Sequence, residues 1–290
     1  MNSEKKGILY ILLSSFCFAS MAAWVKSVPN IPLSEKIFFR CLVGTIVTGY
    51  FLLKNRNELK CKRIDLLIIR AVFELLAVTG YYYTLSKLPL CDAVILNKIS
   101  PVIIIILSYI FLKEKIQKNQ IYAVVISLIG VLFVIKPQFN YTILPALVGL
   151  CTAVLVSVAY IAVRQLRLYT SPEIIVFSFS LFSVIATIPF MIIGKFVFPS
   201  KAEMISLFMM GLFATGAEIF LTKGYRYAPA SKLAIYDYAN IIFSTLYGIL
   251  LWSEMPDLYS IFGGILILSG GIINYIVGNK ENKVDRFVDN

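Results

Sequence analysis

Six residues from one stretch of this chain return at a constant interval. Pro89, Ile95, Glu114, Ile121, Leu128 and Gly130 recur as Pro229, Ile235, Glu254, Ile261, Leu268 and Gly270, each 140 positions on (229 less 89, 254 less 114, 270 less 130). Any fold for the chain must therefore be buildable from two copies of one module. In each copy a short Pro-containing turn leads into a long apolar run. A polar turn carrying one Glu ends that run, and a second apolar run finishes near a Gly. Runs of about 20 apolar residues match the hydrocarbon core of a bilayer, so the repeated object reads as a pair of membrane helices.

Composition agrees. At 59% hydrophobic residues and a mean hydropathy of +0.83, the 290-residue chain is too apolar for a soluble domain, whose surface must carry charge. The expected class is an all-α integral membrane protein with the lipid bilayer as its surroundings. A net charge of +11 would suggest nucleic acid in a soluble protein. Here the Lys and Arg cluster in short loops, which is a topology signal, and no nucleic-acid partner is expected. Cys17, Cys41, Cys61, Cys91 and Cys151 show no CxxC spacing and mostly fall inside apolar runs, so neither a disulfide framework nor a metal site is expected, and no cofactor. With no His, imidazole relays and His-ligated zinc are excluded. The apolar run after Lys5-Lys6 reaches Val25, long enough to span, and reads as a first helix rather than a signal peptide.

Apolar length bounded by charges, Pro or Gly places ten helices, near 7–25, 36–53, 64–85, 91–111, 119–135, 144–163, 173–193, 203–222, 231–251 and 257–277. Threading them from a cytoplasmic N-terminus leaves only Lys26, Lys36, Lys87, Lys136, Lys195 and Lys201 outside, with Arg40, Arg70 and Lys98 inside spans; the other 18 of the 27 basic residues face the cytoplasm. That asymmetry assigns both termini to the cytoplasm of a plasma membrane, and the compact loops suggest a prokaryotic one. Five helices per half is an odd number, so equivalent helices cross in opposite directions. The expected domains are a first five-helix repeat at 1–137, a second at 138–279 and a cytoplasmic tail at 280–290, an inverted-topology arrangement that places a site near the midplane between halves.

Arg40, Arg70, Lys98, Glu74, Glu218 and Asp237 lie within the proposed spans. A charge at that depth costs about 2.5–3.5 kcal/mol on the lenient insertion scale, so each should face protein or water and have a partner. Arg40 and Arg70 are near helix ends and read as structural residues that can snorkel. Glu74 is near the middle of its helix, on one face with Arg70, Val78 and Tyr81. Two readings of Glu74 stay open: proton coupling or recognition of a substrate cation, and a buried pair that locks helices together. Desolvation favours a neutral carboxyl there and a neighbouring cation an ionised one. Asn97-Lys98 corresponds through the repeat to Asp237-Tyr238, and Asn240 and Ser244 extend a polar stripe from Asp237. Lys98 and Asp237 either line one central cavity or pair with each other or with Glu218. The expected substrate-binding set is Glu74, Tyr81, Asn97, Lys98, Tyr160, Glu218, Asp237 and Asn240. Glu114 and Glu254, at helix boundaries, read as loop contacts.

The turn Leu88-Pro89-Leu90-Cys91-Asp92-Ala93, the Ser100-Pro101 pair, the end Phe111-Leu112-Lys113-Glu114-Lys115 and the partner helix closing at Gly130 resemble the EamA-type members of the drug/metabolite transporter superfamily. The resemblance covers almost the whole chain. The second half departs from it, with Ile241 in place of the intramembrane Pro and Trp252-Ser253 before Glu254 where Leu-Gly is more usual. The resemblance implies alternating-access secondary transport of small organic solutes. The two signs of charge make an amino acid or related zwitterion the first expectation for the cargo. An exporter of cationic metabolites or drugs is the alternative in the same class. A membrane-embedded transferase is a remote one, because no His, base or metal motif accompanies the spans. No GxxxxGK[ST] loop exists for ATP-driven pumping. Oligomeric state is left open, a monomer being compatible.

Overall fold

Where no water reaches the backbone, each N–H and C=O must be satisfied within the chain, and a helix does this segment by segment. The computed structural model describes residues 3–54, 63–100, 102–104, 106–107, 118–135, 143–166, 169–194, 196–227 and 236–288, and its regular structure is helical. The described helices are α1 (Ser3–Lys26), α2 (Leu33–Lys54), α3 (Ile64–Lys87), α4 (Leu90–Asn97), α5 (Lys118–Ile135), α6 (Ile143–Leu166), α7 (Pro172–Ile193), α8 (Lys201–Tyr227), α9 (Ala239–Trp252) and α10 (Leu258–Val288). Five stretches, Lys5–Lys26, Leu33–Lys54, Ile143–Val163, Glu173–Ile193 and Lys201–Gly224, are long and apolar enough to cross a membrane. α10 continues through the segment expected to be a tail.

Polarity is inverted relative to a soluble protein. Ile192, Ile193, Leu250 and Leu53 are exposed, whereas Lys36, Arg40, Arg70, Glu74 and Glu218 are buried. Apolar side chains on the outer surface cost nothing when the solvent is lipid, and buried charges are confined to places where a partner exists.

The most extensive helix contacts join α1 to α8, α3 to α6, α2 to α7 and α5 to α10. Shifting each label by five turns α1–α8 into α6–α3 and returns α2–α7 and α5–α10 to themselves. The same relation holds at single residues. A Cβ added at Gly130 of α5 would lie 2.7 Å from the Gly263 carbonyl oxygen of α10. A Cβ added at Gly270 would lie 2.7 Å from the Ala123 carbonyl oxygen of α5, and these two pairs exchange under the 140-residue interval. Close backbone approach through small residues is how helices associate where lipid supplies no hydrophobic drive. Replacing Gly130 with leucine is therefore expected to force α5 off α10, against Leu266 and Ile267 as well, and to lower stability by about 1–3 kcal/mol in a detergent unfolding titration.

Two spans differ from the expected continuous helices. α4 ends at Asn97, and Lys98 and Ile99 form a turn before helix resumes. Ile99 N–H donates to Leu96 and Val102 N–H to Ile99, three residues back rather than four. At the equivalent place before α9, Tyr238 interrupts the helix and the Ile241 N–H donates to the Tyr238 carbonyl. Pro101 has no N–H with which to satisfy the Asn97 carbonyl, which accounts chemically for the first break. Its own placement, like that of Phe111 to Lys115 with Glu114 and of residues 231–235, lies outside the described residues.

Candidate functional site

α2, α3 and α8 bring four charges together, and α7 lays one aromatic ring against the two cations. α2 carries Arg40 and α8 carries Glu218, and Arg40 Nη2 donates to Glu218 Oε1 at 2.7 Å. On α3 the i,i+4 spacing sets Arg70 beside Glu74, Nη2 to Oε2 being 2.9 Å, while Glu218 Oε2 stands 3.9 Å from Arg70. Arg70 Nη1 also donates to the Ile175 carbonyl at 3.0 Å. Phe179 of α7 lies under both guanidinium groups, 5.4 Å from Arg40 and 5.0 Å from Arg70, and its negative ring face favours both cations. The charged side chains are at most 11% exposed. Two guanidinium and two carboxylate groups thus form a quartet with no net charge when all are ionised.

The quartet is not saturated. Arg40 Nε, Arg70 Nε, Glu74 Oε2 and Glu218 Oε2 are buried without a hydrogen bond among the described residues; the carboxylate oxygens meet Arg70 as charges but without hydrogen-bond geometry. Beside them a narrow cleft is lined by Arg40, Cys41, Val176, Ser180, Ala214, Thr215 and Glu218. Gly44 keeps this side of α2 bare: an added Cβ would meet Ser180 Oγ at 2.7 Å and Thr215 Oγ1 at 3.3 Å. In this arrangement the cleft is closed too tightly to admit a water molecule, so a solute could reach these atoms only after the helices separate.

The other expected site residues gather elsewhere. Lys98 Nζ is 2.5 Å from Asp237 Oδ2, where the breaks near α4 and α9 meet. Ser15 of α1 donates to both the carbonyl and Oδ1 of Asp237 at 3.3 Å, and Asn240 Nδ2 donates to the Ser15 carbonyl at 2.8 Å. Sequence reasoning offered a shared cavity or a direct pair for Lys98 and Asp237, and the structure pairs them. Glu74 and Glu218 are joined in the quartet, on a different set of helices. Tyr81 is half-buried between the two main apolar cores; Asn97 closes α4 and Tyr160 sits on α6, both half-buried.

Arg40 and Arg70 correct the snorkelling expectation. Both are buried and ion-paired, because α8 and α7 cover them and supply Glu218 and Phe179. Their presence inside apolar runs was the available signal; nothing in the sequence marked Phe179. Glu254 makes the kind of helix-boundary contact its position in the sequence suggested. Its Oε1 forms an ion pair with Lys26 at the end of α1, and its Oε2 accepts the Leu90 N–H at 2.9 Å. Lys26 further donates to the Leu88 carbonyl at 3.2 Å and lies over the Trp252 ring at 5.5 Å. This latch ties the α3–α4 turn and α1 to the end of α9. Ser253, beside it, holds a left-handed backbone (φ 55°), the conformation that explains why Gly is more usual at that position.

Residues 5–136 and 143–276 each match the EamA-like transporter family. The chain belongs to that family. Among EamA-like relatives, the pseudopaline exporter CntI of Pseudomonas aeruginosa is 34% identical over 268 residues, covering 91% of this chain and 94% of that protein. Solute carrier family 35 member G1 of Homo sapiens is 23% identical over 92% of this chain and 78% of its own length. The S-adenosylmethionine uptake transporter of Rickettsia felis is 24% identical over 87% and 85%. A crystal structure superposes with a TM-score of 0.70, covering 95% of this chain and 98% of its own at 16% identity, a likeness of fold alone. EamA-like membership makes this a membrane protein of transporter type, and similarity to exporter, solute carrier and uptake protein alike is consistent with a small-molecule cargo and no enzymatic role.

Proposed function

We propose that this protein is a secondary active transporter of a small zwitterionic metabolite, an amino acid or a relative of one, working by alternating access in a prokaryotic plasma membrane with both termini in the cytoplasm. The observation that carries the reading is the Arg40–Glu218 pair, buried at the wall of a cleft with neighbouring polar atoms unfilled. A carboxylate on the cargo takes guanidinium donors of Arg40 and Arg70, and an ammonium takes Glu218 and Glu74.

The transport cycle follows from ten spans arranged as two inverted five-helix repeats, 1–137 and 138–279. Support comes from the paired helix contacts, the Gly130–Gly263 and Gly270–Ala123 equivalence and the family match falling separately on each half. α2 comes from one repeat and α7 and α8 from the other, so rocking the halves opens and closes the cleft. One relative is an exporter and another an uptake transporter, and the gradients set direction in a reversible carrier.

Purified protein screened by thermal shift against zwitterionic, cationic and anionic metabolites is expected to be stabilised by a zwitterion. A ligand at about a hundredfold over its Kd adds about 2.7 kcal/mol to native stability. Stabilisation by lipophilic cations alone would replace this reading.

A further inference from the structure

We infer that Ser180, Thr215 and Gly44 form a side pocket of the cargo cleft that selects a zwitterion carrying a short, uncharged hydrogen-bonding group, a hydroxyl or a carboxamide, over one with an aliphatic side chain. The inference rests on the transport reading above and names the class of cargo within it. Hydroxyls inside a helix commonly fold back onto a carbonyl of the preceding turn. Around the cleft this chain does the same: Thr45 donates to the Cys41 carbonyl at 2.8 Å, Thr48 to that of Gly44 at 2.6 Å, Thr187 to that of Ser183 at 2.8 Å and Thr222 to that of Glu218 at 2.7 Å. Ser180 of α7 and Thr215 of α8 do not. Both are buried, 3% and 5% exposed, both line the cleft, and neither hydroxyl has a hydrogen bond among the described residues. Buried polar groups are otherwise paired, so two such hydroxyls on one cleft wall point to a partner that arrives from outside the chain.

Helical spacing sets this wall beside the charged pair. Thr215 is three residues before Glu218 on α8 and Gly44 four residues after Arg40 on α2, spacings that keep each on the face of its charged neighbour. A Cβ on Gly44 would meet both oxygens, Ser180 Oγ at 2.7 Å and Thr215 Oγ1 at 3.3 Å, so the two hydroxyls flank one small gap that the bare Cα keeps open. The other side chains beside them, Cys41, Val176 and Ala214, are short, so a substituent of a few heavy atoms fits once the helices part. Each hydroxyl offers one donor and two acceptor positions. A cargo hydroxyl or carboxamide, itself both donor and acceptor, satisfies them while the cargo's charged ends sit on the quartet. An aliphatic group in the same place leaves both hydroxyls stripped of water and unpaired. A site built to hydrogen-bond a polar group rejects the analogue lacking it far more strongly than an apolar pocket separates chains that differ by one methylene. A third charge finds no counter-charge here, because the charged groups of the cleft, Arg40 and Glu218, are matched to the two ends of the zwitterion.

The test compares zwitterions of like shape on the purified full-length protein, with Kd values from thermal-shift titration: asparagine against leucine, and serine against aminobutyrate. The parent is expected to bind the polar member of at least one pair at least about tenfold more tightly. Preference in the first pair identifies a carboxamide, and in the second a hydroxyl. Ser180→Ala/Thr215→Val removes both hydroxyls at nearly constant volume and is expected to bring that ratio to within about twofold of one. Thr215→Ser keeps a hydroxyl and should keep the ratio, which separates lost recognition from a disturbed fold. Should the double variant not fold, Ser180→Ala and Thr215→Val singly are each expected to lower the ratio at least about threefold. Gly44→Ala fills the gap and is expected to weaken the preferred polar probe at least about tenfold more than it weakens glycine, which carries no substituent into the pocket. A parent that binds both members of each pair equally, a preference that survives the loss of both hydroxyls, or equal weakening of glycine and the polar probe by Gly44→Ala would each overturn the inference. Stabilisation by no zwitterion at all fails the cargo reading and takes this inference with it. Equal stabilisation by asparagine and leucine, and by serine and aminobutyrate, leaves the cargo reading standing and sinks this inference alone.

Discussion

Arg40→Met is expected to be among the most damaging single substitutions in the chain. It leaves Glu218 buried with its nearest remaining cation, Arg70, 3.9 Å away, and a buried charge stripped of its partner costs about 3–5 kcal/mol. Detergent unfolding titration of purified variants gives the number. The informative comparison is the double variant Arg40→Met/Glu218→Leu, because replacing a whole buried pair with apolar groups of similar volume is often neutral or stabilising. The double variant is therefore expected to regain most of the lost stability yet to show no zwitterion-induced thermal shift. A quartet that served packing alone would let binding return together with stability. A single variant costing less than about 1 kcal/mol would mean that Glu218 is not desolvated as the structure places it.

The second large effect is expected at the latch. Glu254→Gln keeps an oxygen for the Leu90 N–H but loses the ion pair with Lys26, which is only partly exposed to solvent and backed by Trp252. On the proposed topology this contact lies at the outer face, where α1 and the α3–α4 turn from one half meet the end of α9 from the other. Losing about 1.4 kcal/mol from a closed state raises the open population about tenfold. A single-cysteine reporter, Thr215→Cys at the cleft wall of a protein whose five native cysteines are serine, should accordingly label about ten times faster with a membrane-impermeant maleimide applied from the outside, and Lys26→Glu/Glu254→Lys should bring the rate back toward the parent. Ser253→Gly pushes the other way: it removes the cost, about 1–2 kcal/mol, of holding a Cβ-bearing residue in the left-handed region, and so favours the latched state. Unchanged labelling in Glu254→Gln would reduce the latch to an ordinary loop contact.

These two predictions fall on residues that sequence reasoning had treated as structural, and the reason is the same for both. Depth within an apolar run singles out Glu74 and Lys98 and passes over Arg40 and Glu254. Depth along one helix is a local quantity. Whether a charge near a helix end reaches the interface or is sealed depends on what another helix lays over it. α8 lays Glu218 over Arg40 from 178 residues away, and the end of α9 brings Glu254 to Lys26 across 228. The interruptions near α4 and α9 were half visible: Pro101 announced a lost hydrogen bond in the first, whereas Ile241 gave no such warning in the second.

By itself the sequence determined what depends on spacing along the chain: an apolar membrane protein, a module used twice at a 140-residue interval, and six charged residues that must find partners inside it. The tertiary structure decided the partners. Lys98 had two acids within reason, and only the meeting of the two interrupted helices selected Asp237. Glu74, for which the sequence allowed either Arg70 or Lys98 as the neighbouring cation, meets Arg70, and Glu218, one of the two acids open to Lys98, pairs with Arg40 instead. Helix periodicity tells which face a residue occupies, but a charge is satisfied by whatever faces it, and that is set by contacts between helices far apart in the chain.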